Sequence, residues 1–361
     1  MRRLNKWAIA FGCAAGLATA LAAAAPPAVT IFATGFNNPR GIKFGPDGHL
    51  YVAEAGAGGS NSTIGKCDQV PDAGPYTGSP TGSRVARVDQ FGNVTTVADG
   101  FPSSQTQPGL GSLVSGVGDI AFIGHTLYAL ETGAGCSHGV ANTVNGVYRI
   151  NRDGTHTLIA DLSTYYKAHP VAHPNPGDFE PDGTPYSMIA AKGRLYVVEP
   201  NHGELDEVST DGRIRRIADI SASQGHIVPT VAALEDGNFY VGNLNTFPIV
   251  PGSSKILRIT PAGRVSVVLT GFTTVLGVAF DDRDRLYVLE NTTNNPLPTP
   301  FTGQVVRISE GGKRDVIASG LFLPTAMTFG PDHNLYVSNV GFGPPPVGMG
   351  QILKIELPDE N

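Results

Sequence analysis

The chain has 361 residues, a formal net charge of −6 and 16% charged residues. It contains no block of basic residues, so a nucleic-acid partner is not expected. Its 46 glycines, 28 prolines and weak helical periodicity indicate an all-β protein with many turns.

The N-terminus has the features of a secretory signal peptide. Three basic residues precede an apolar run over residues 7–21, and small residues follow before two prolines. This run is short for a membrane span, and no second span follows it. We therefore predict a Sec-type signal peptide over residues 1–25 and a mature chain over residues 26–361. The mature protein is expected to be secreted or periplasmic, with no membrane anchor.

One five-residue phrase occurs six times along the chain and predicts the fold. Each copy has an apolar residue, a tyrosine and two apolar or small residues, and it ends on glutamate or asparagine. The tyrosines are separated by 77, 68, 44, 47 and 49 residues, and they are Tyr51, Tyr128, Tyr196, Tyr240, Tyr287 and Tyr336. The shorter periods match a propeller blade, and the longer ones require insertions. We predict one domain, a six-bladed β-propeller with four-stranded blades.

The strands follow the same order in every blade. Blade 1 has predicted strands over residues 41–44, 50–54, 84–89 and 94–98, joined alternately by tight turns and long connections. The last blade lacks a fourth strand. Residues 29–33, at the mature N-terminus, have the pattern of that strand, so we predict that they close the ring.

The long connections all follow the second or the fourth strand of a blade. They cover residues 56–83, 101–116, 161–185, 245–254, 291–303 and 341–350. In a propeller these two types of connection emerge on the same side, which we call the long-loop face. Loops on a rigid scaffold supply variable binding chemistry. We therefore predict a monomer that binds a small molecule, a glycan or a protein on this face.

An acid or an amide ends the second strand of each blade: Glu54, Glu131, Glu199, Asn243, Glu290 and Asn339. Such a ring of oxygens could bind a hard cation. However, the third strands carry a repeated base, at Arg87, Arg149, Arg258, Arg307 and Lys354. We therefore predict that the ring is structural and that its acids pair with these bases. Blade 3 has Glu207 at the base position, which makes Glu199 the acid best suited to a function.

The residues near the starts of the inner strands predict the lining of the axial channel. They are Arg40, Asp119, Ser187, Thr230, Gly277 and Thr325. One carboxylate among hydroxyls and an arginine is a poor cage for a catalytic cation, but it suits an anion or a polar small molecule. Our candidate ligand-binding residues are Arg40, Asp119, Ser187, Glu199, Thr230 and Thr325. Catalytic residues and metal ligands stay undefined, and a divalent cation such as calcium is the alternative cofactor.

Two cysteines remain in the mature chain, Cys67 and Cys136. Both follow the repeated strand, in neighbouring blades, and an oxidising compartment favours a disulfide between them. Two buried free thiols, or a reactive pair, are the alternatives.

Five histidines belong to connections on the long-loop face of blades 2 to 4: His138, His169, His173, His202 and His226. With Asp178, Glu180 and Glu199 they could form a transition-metal or general-base site. No pair has a recognised zinc spacing, so solvated loop histidines are the simpler interpretation.

Two segments resemble the ScyD/ScyE family of exported bacterial propeller proteins. One runs from Asn38-Pro39-Arg40-Gly41 through residues 45–56, and the other runs from Val228-Pro229-Thr230 through residues 239–244. The resemblance extends over nearly all of the mature chain. It implies a propeller fold and export, but no established reaction or catalytic residue. Blade 3 departs from the family pattern at residues 182–187 and 199–203.

Binding on the long-loop face is therefore the leading hypothesis. The first alternative is a metal-assisted hydrolase or lyase of the gluconolactonase type. The second is a cell-envelope scaffold that uses the proline-rich loops over residues 247–251, 296–300 and 344–346.

Overall fold

A computed structural model describes residues 27–293, 295–342 and 347–358. The predicted signal peptide and the proline-rich loop over residues 344–346 lie outside the described residues. The predicted all-β fold is confirmed, because six antiparallel sheets form the six blades of a propeller. None of the helices in the described part of the chain has the length and hydropathy needed to cross a membrane.

Strands dominate the described part of the chain, and its helices are short. The strands are β1 (Ala28–Phe36), β2 (Pro39–Phe44), β3 (Leu50–Glu54), β4 (Thr77–Val88), β5 (Val94–Gln105), β6 (Val114–Ser115), β7 (Val117–Ile123), β8 (Thr126–Glu131), β9 (Gly146–Ile150), β10 (His156–Asp161), β11 (Ser187–Ala191), β12 (Arg194–Glu199), β13 (Glu204–Val208), β14 (Ile214–Asp219), β15 (Pro229–Glu235), β16 (Asn238–Asn243), β17 (Ser254–Ile259), β18 (Val265–Phe272), β19 (Val275–Phe280), β20 (Leu286–Glu290), β21 (Gly303–Ile308), β22 (Arg314–Leu321), β23 (Ala326–Phe329), β24 (Leu335–Asn339) and β25 (Gly350–Glu356). The helices are α1 (Leu162–Ala168) and α2 (Ser221–Gln224), and short 3-10 turns occur at Pro108–Leu110, Cys136–His138 and Glu310–Gly312.

The N-terminal strand closes the ring. Blades 1 to 5 are built from β2–β6, β7–β10, β11–β14, β15–β18 and β19–β22, and blade 6 combines β23–β25 with β1. Strand β1 pairs antiparallel with β25, with Ile31 opposite Leu353. The predicted closure is therefore confirmed. It joins the two ends of the domain and leaves no open gap between the first and last blades.

The repeated tyrosine joins one blade to the next. In four blades its ring makes an edge-to-face contact, at centroid distances of 5.0–5.1 Å, with a phenylalanine in the first strand of the following blade. These pairs are Tyr51–Phe122, Tyr240–Phe280, Tyr287–Phe329 and Tyr336–Phe44. Such an aromatic pair contributes about 0.5–1.5 kcal/mol beyond its buried area. The repeat therefore marks the contacts between blades as well as the strands.

The insertions of blade 1 contain more regular structure than the sequence indicates. Strand β4 begins at Thr77, before the predicted 84, and β5 continues to Gln105, beyond the predicted 98. The polar run Ser79–Ser83 resembles a turn because it contains proline and glycine. A shift in register between Ser79 and Ser83 absorbs these residues, and the hairpin continues past them.

Candidate functional site

A cavity of about 400 Å³ lies on the long-loop face, near the propeller axis. Blades 1, 2, 3, 4 and 6 all contribute to its wall. The apolar lining includes Leu110, Leu113, Pro200, Val228, Leu244, Phe247 and Phe342, and the polar lining includes Arg40, Tyr76, Asp72, Asp178, Glu180, Thr184, Tyr186, Asn201 and Thr230. A mostly apolar cavity with a few converging polar groups is typical of a small-molecule site.

Arg40 lies at the start of β2 and lines this cavity. Its guanidinium is between two rings, 5.9 Å from the centroid of Tyr186 and 5.5 Å from that of Phe342. One terminal nitrogen, Nη2, donates to the carbonyl of Val114. The other, Nη1, is buried and has no hydrogen-bond partner among the described residues.

Asp119 does not line the cavity, although it is close to Arg40 in the fold. Its carboxylate accepts hydrogen bonds of 2.8 Å from the backbone N–H groups of Ile120 and Met188, and Lys43 Nζ lies 3.6 Å away. Burial raises the pKa of Asp119, while Lys43 and the two N–H groups oppose that rise. A Cβ at Gly41 would lie 1.8 Å from Oδ1 of Asp119. Because residue 41 is a glycine, there is room for the carboxylate of Asp119, which connects blade 2 to blade 3 through its hydrogen bond with Met188.

The axial hydroxyls lie at the contacts between blades. Thr230 Oγ1 donates to the carbonyl of Val275 at 2.5 Å, and Thr325 Oγ1 donates to that of Pro39 at 2.7 Å. Ser187 is buried, and its hydroxyl has no partner among the described residues. Of the six predicted ligand-binding residues, the structure brings Arg40 and Thr230 to the cavity wall.

The axial residues do not fit a divalent cation. The one carboxylate, on Asp119, already accepts two backbone hydrogen bonds, and two of the hydroxyls donate to carbonyls. The nearby Arg40 adds a positive charge. Within the described ranges, no group of three or more His, Cys, Asp or Glu residues has the geometry of a metal site.

The predicted pairing of the ring acids with the repeated bases is wrong. The bases lie opposite the tyrosines, in the pairs Tyr51–Arg87, Tyr128–Arg149, Tyr240–Arg258, Tyr287–Arg307 and Tyr336–Lys354. The acid that ends each second strand comes three residues after the tyrosine. A base opposite the tyrosine therefore does not face that acid in an antiparallel pair. Glu54 does bind an arginine, but this is Arg84, at 2.6 Å.

The ring residues mainly hold the connection that enters the first strand of their own blade. Glu54, Glu199, Glu290 and Asn339 accept backbone hydrogen bonds from Asn37, Thr184, Thr273 and Phe322, and Asn243 donates to the carbonyl of Ile227. Glu131 accepts from Gly133 within its own connection, and burial raises its pKa to about 8. The ring therefore binds backbone, which the sequence pattern does not reveal.

Glu199 is fully buried and does not line the cavity. It accepts backbone hydrogen bonds from Thr184 at 2.9 Å and from His202. Thr184 does line the cavity, and its Oγ1 is buried without a partner in the described chain. Glu199 therefore fixes the position of a wall residue.

A polar network lies at the cavity wall, and the sequence indicated two of its members, His138 and Glu180, but not Tyr76 or Ser104. Tyr76 donates to Oε1 of Glu180 at 2.6 Å, and Oε2 of Glu180 lies 3.2 Å from Nε2 of His138. Ser104 lies 2.9 Å from Nδ1 of the same histidine. Burial, and then the charge of Glu180, raise the pKa of Tyr76 well above its usual value. Tyr76 comes from the middle of an insertion, where no periodic pattern indicates a buried side chain.

The five histidines do not form one site, and the prediction that they are solvated is wrong for His138 and His202, which are buried. His138 belongs to the network just described, and the ring of His202 stacks on Phe179 at 5.0 Å. His226 Nε2 lies 2.7 Å from Oδ2 of Asp178, a residue of the cavity wall. His169 and His173 are exposed in the segment that follows α1.

The predicted disulfide between Cys67 and Cys136 is confirmed, with a Cα–Cα distance of 6.3 Å. It joins the insertion of blade 1 to the 3-10 turn that carries His138. The bridge therefore holds together two connections that supply the polar wall of the cavity.

Two proline-rich loops on the same face expose apolar side chains. The N–H of Ile249 donates to the carbonyl of Pro296 at 2.7 Å, which connects the loops of blades 4 and 5. Val250, Leu297 and Phe301 are exposed beside this contact.

Fold and site together define a closed six-bladed propeller with a mostly apolar cavity near the axis of its long-loop face. No family model matches the chain, and no curated protein matches it in sequence. Solved structures of propeller proteins do match. A putative oxidoreductase (glucose dehydrogenase) from Thermus thermophilus aligns with a TM-score of 0.56 and 16% identity, over 91% of this chain and 99% of that one.

Two further structures show the same likeness. A gluconolactonase from Xanthomonas campestris aligns with a TM-score of 0.55 and 12% identity, over 92% of this chain and 90% of that one. The PQQ-bound aldose sugar dehydrogenase from Streptomyces coelicolor aligns with a TM-score of 0.52 and 15% identity, over 92% and 99%. At such identities the likeness shows a shared fold. An activity has to be inferred from the residues of the site.

Proposed function

We propose that this is an exported binding protein of the ScyD/ScyE type, and that it holds a small molecule in the cavity of its long-loop face. The proposal rests on three polar atoms of the cavity wall that are buried without a hydrogen-bond partner among the described residues. They are Nη1 of Arg40, Oε2 of Glu180 and Oγ1 of Thr184. Nε2 of His138 lies 3.2 Å from Oε2 of Glu180, but the two groups are not aligned for a hydrogen bond.

An unsatisfied buried polar group costs about 1–3 kcal/mol, and more when it is charged. A ligand with complementary groups would remove that cost, which is why we prefer binding over a passive role. The size of the cavity favours a small molecule over a glycan chain or a protein segment. Export is supported by the disulfide, since such bonds persist in oxidising compartments.

Native mass spectrometry of the protein, purified without denaturation, tests this proposal. We expect a small molecule that is released on unfolding. Thr246 is exposed and lines the cavity, so Thr246→Trp should fill the space without disturbing the core. The matched control is Thr95→Trp, at an exposed position of the outer strand β5.

The bound mass should be lost in Thr246→Trp and kept in Thr95→Trp. Equal amounts of ligand in both variants would place the ligand outside this cavity. If the unaltered protein carries no ligand, and extracts of the producing cells do not stabilise it, the proposal is wrong.

Hydrolysis is a second candidate function, favoured by the pair formed by His226 and Asp178. The 2.7 Å contact orients an imidazole beside the cavity, and such a histidine can act as a general base on water. This route needs no metal ion, in keeping with the poor fit of the axial residues to a cation. His226→Ala should lower the hydrolysis of lactones or esters by about 10²–10⁴-fold. Unchanged turnover in this variant would remove the candidate.

A further inference from the structure

We infer that the ligand of this cavity is a small monocarboxylate with an apolar body and a hydrogen-bond donor at its far end. This inference rests on the proposed function and deepens it by naming the class of ligand. It is carried by the charge and the surroundings of Arg40.

Arg40 is a buried cation without an anion. It is 7% exposed, and none of the described acids forms an ion pair with it. Asp119, the acid at the neighbouring axial position, is bound to Lys43 and two backbone N–H groups instead. A buried charge is stabilised only when it is paired and hydrogen-bonded, so the bound state should supply an anion.

The geometry of the guanidinium favours an oxyanion with two acceptor oxygens. Carboxylates and phosphates accept two parallel hydrogen bonds from such a group. The carbonyl of Val114 occupies one terminal nitrogen, and the other has no hydrogen-bond partner in the described chain.

The charge of the cavity distinguishes a carboxylate from a phosphate. Arg40 is the one cationic side chain in the described lining, which also contains Asp72, Asp178 and Glu180. Either anion would meet the same acids, but a phosphate dianion carries two negative charges against the single positive charge of Arg40. A carboxylate carries one negative charge, which Arg40 balances.

The remaining wall defines the rest of the ligand. The rings of Tyr186 and Phe342 flank the guanidinium, and Leu113, Val228 and Leu244 extend the apolar surface. These residues suit an apolar or aromatic body. On the polar wall, Oε2 of Glu180 lacks a hydrogen-bond donor among the described residues. A ligand hydroxyl or ammonium would provide one.

Calorimetry with matched probes tests the inference. The probes are 4-hydroxyphenylacetate, 3-(4-hydroxyphenyl)propanoate and 4-hydroxybenzoate, the primary amide of each, and phenyl phosphate. For the unaltered protein, we expect at least one acid to bind tenfold or more tightly than its amide, and more tightly than phenyl phosphate. Because this ratio needs no mutation, it tests the inference even if a variant fails to fold.

Arg40→Gln should abolish the preference for the acid. The matched control is Arg213→Gln, since Arg213 is an exposed arginine that pairs with Asp211 in a tight turn between β13 and β14. That variant should bind as the unaltered protein does.

Three outcomes would overturn the inference. If acids and amides bind equally, and Arg40→Gln does not change their affinity, the protein binds a different class of ligand. Tighter binding of phenyl phosphate would assign Arg40 to phosphates. If no probe binds at millimolar concentration, the carboxylate assignment falls. The proposed function is then judged separately, by the mass that co-purifies with the protein and its loss in Thr246→Trp.

Discussion

Asp206 is an acid at a core position of blade 3. The residues that share its register in the other third strands are Ala86, Tyr148, Leu257, Val306 and Leu353, each opposite an apolar residue of the second strand. Both oxygens of Asp206 are buried without partners in the described chain, as is the hydroxyl of Tyr166. Burial, and then the charge of Glu204, raise the pKa of Asp206 well above its usual value.

Glu204 lies beside Asp206 and shares its burial. Burial raises the pKa of Glu204 to about 8, against an ordinary value of 4.5, while Arg216 opposes the rise. Between these two pH values Glu204 is therefore protonated in the folded state and ionised in the unfolded state. It follows that the free energy of unfolding falls as pH rises from about 4.5 to 8.

We predict that Asp206→Leu stabilises the protein and weakens this pH dependence. At pH 8 the gain should be about 1–3 kcal/mol, because the substitution removes a buried polar group without partners. Urea denaturation at pH 5 and pH 8 measures both effects. The control is Glu207→Leu, at a half-buried position on the opposite side of β13. A slope against pH as steep as in the unaltered protein would show that Asp206 does not titrate in this range.

At the level of the element, each second strand ends on a side chain that binds a connection. Glu290 shows the arrangement, since it accepts hydrogen bonds from the N–H of Thr273 at 2.5 Å and from Nε2 of Gln304 at 2.7 Å. The first of these contacts precedes β19, and the second lies on β21. One glutamate thereby connects three parts of blade 5.

We predict that Glu290→Ala lowers the free energy of unfolding by about 1–3 kcal/mol, because a buried N–H loses its acceptor. Thermal denaturation measures the effect. The control, Glu356→Ala, removes an exposed carboxylate at the end of β25 and should change stability little. Equal effects of the two substitutions would argue against the connection as the cause.

The disulfide stabilises two connections of different blades. Removing it with Cys67→Ser and Cys136→Ser should cost about 2–4 kcal/mol, since the bridge spans 69 residues of sequence. It should also weaken ligand binding, because His138 in the turn Cys136–His138 contacts the wall residues Tyr76 and Glu180. Chemical denaturation and native mass spectrometry of the double variant measure these effects. If the double variant still carries the ligand at full occupancy, ligand binding does not depend on the disulfide.

At the scale of the whole molecule, β1 joins the end of the chain to its beginning. Without it, β25 would present an unpaired edge, which other chains can extend. We predict that removal of residues 27–36 destabilises the ring and causes self-association. Size-exclusion chromatography and thermal denaturation measure the two effects. If the truncated protein stays monomeric with the original melting temperature, closure by β1 is not needed for stability.

The candidate site could be predicted only in part. Arg40 and Thr230 were found because the starts of inner strands converge on the axis of any propeller. Glu180 was named only as a member of a possible histidine site, and Tyr76 and Thr184 were not found, because all three come from insertions without a repeating pattern. Their positions depend on contacts between connections that are distant in the chain, such as Tyr76 with Glu180 and Thr184 with Glu199.

The sequence by itself favoured the disulfide, and it determined the all-β class, the six blades and the closing strand. These features follow from local patterns: a strand alternates with period two, turns need glycine or proline, and a repeat copies its own contacts. Only the tertiary structure decided which partner each ring residue binds and which polar atoms stay unpaired around the cavity. Those outcomes depend on the register between strands and on the packing of insertions from several blades, where a shift of one residue changes every partner.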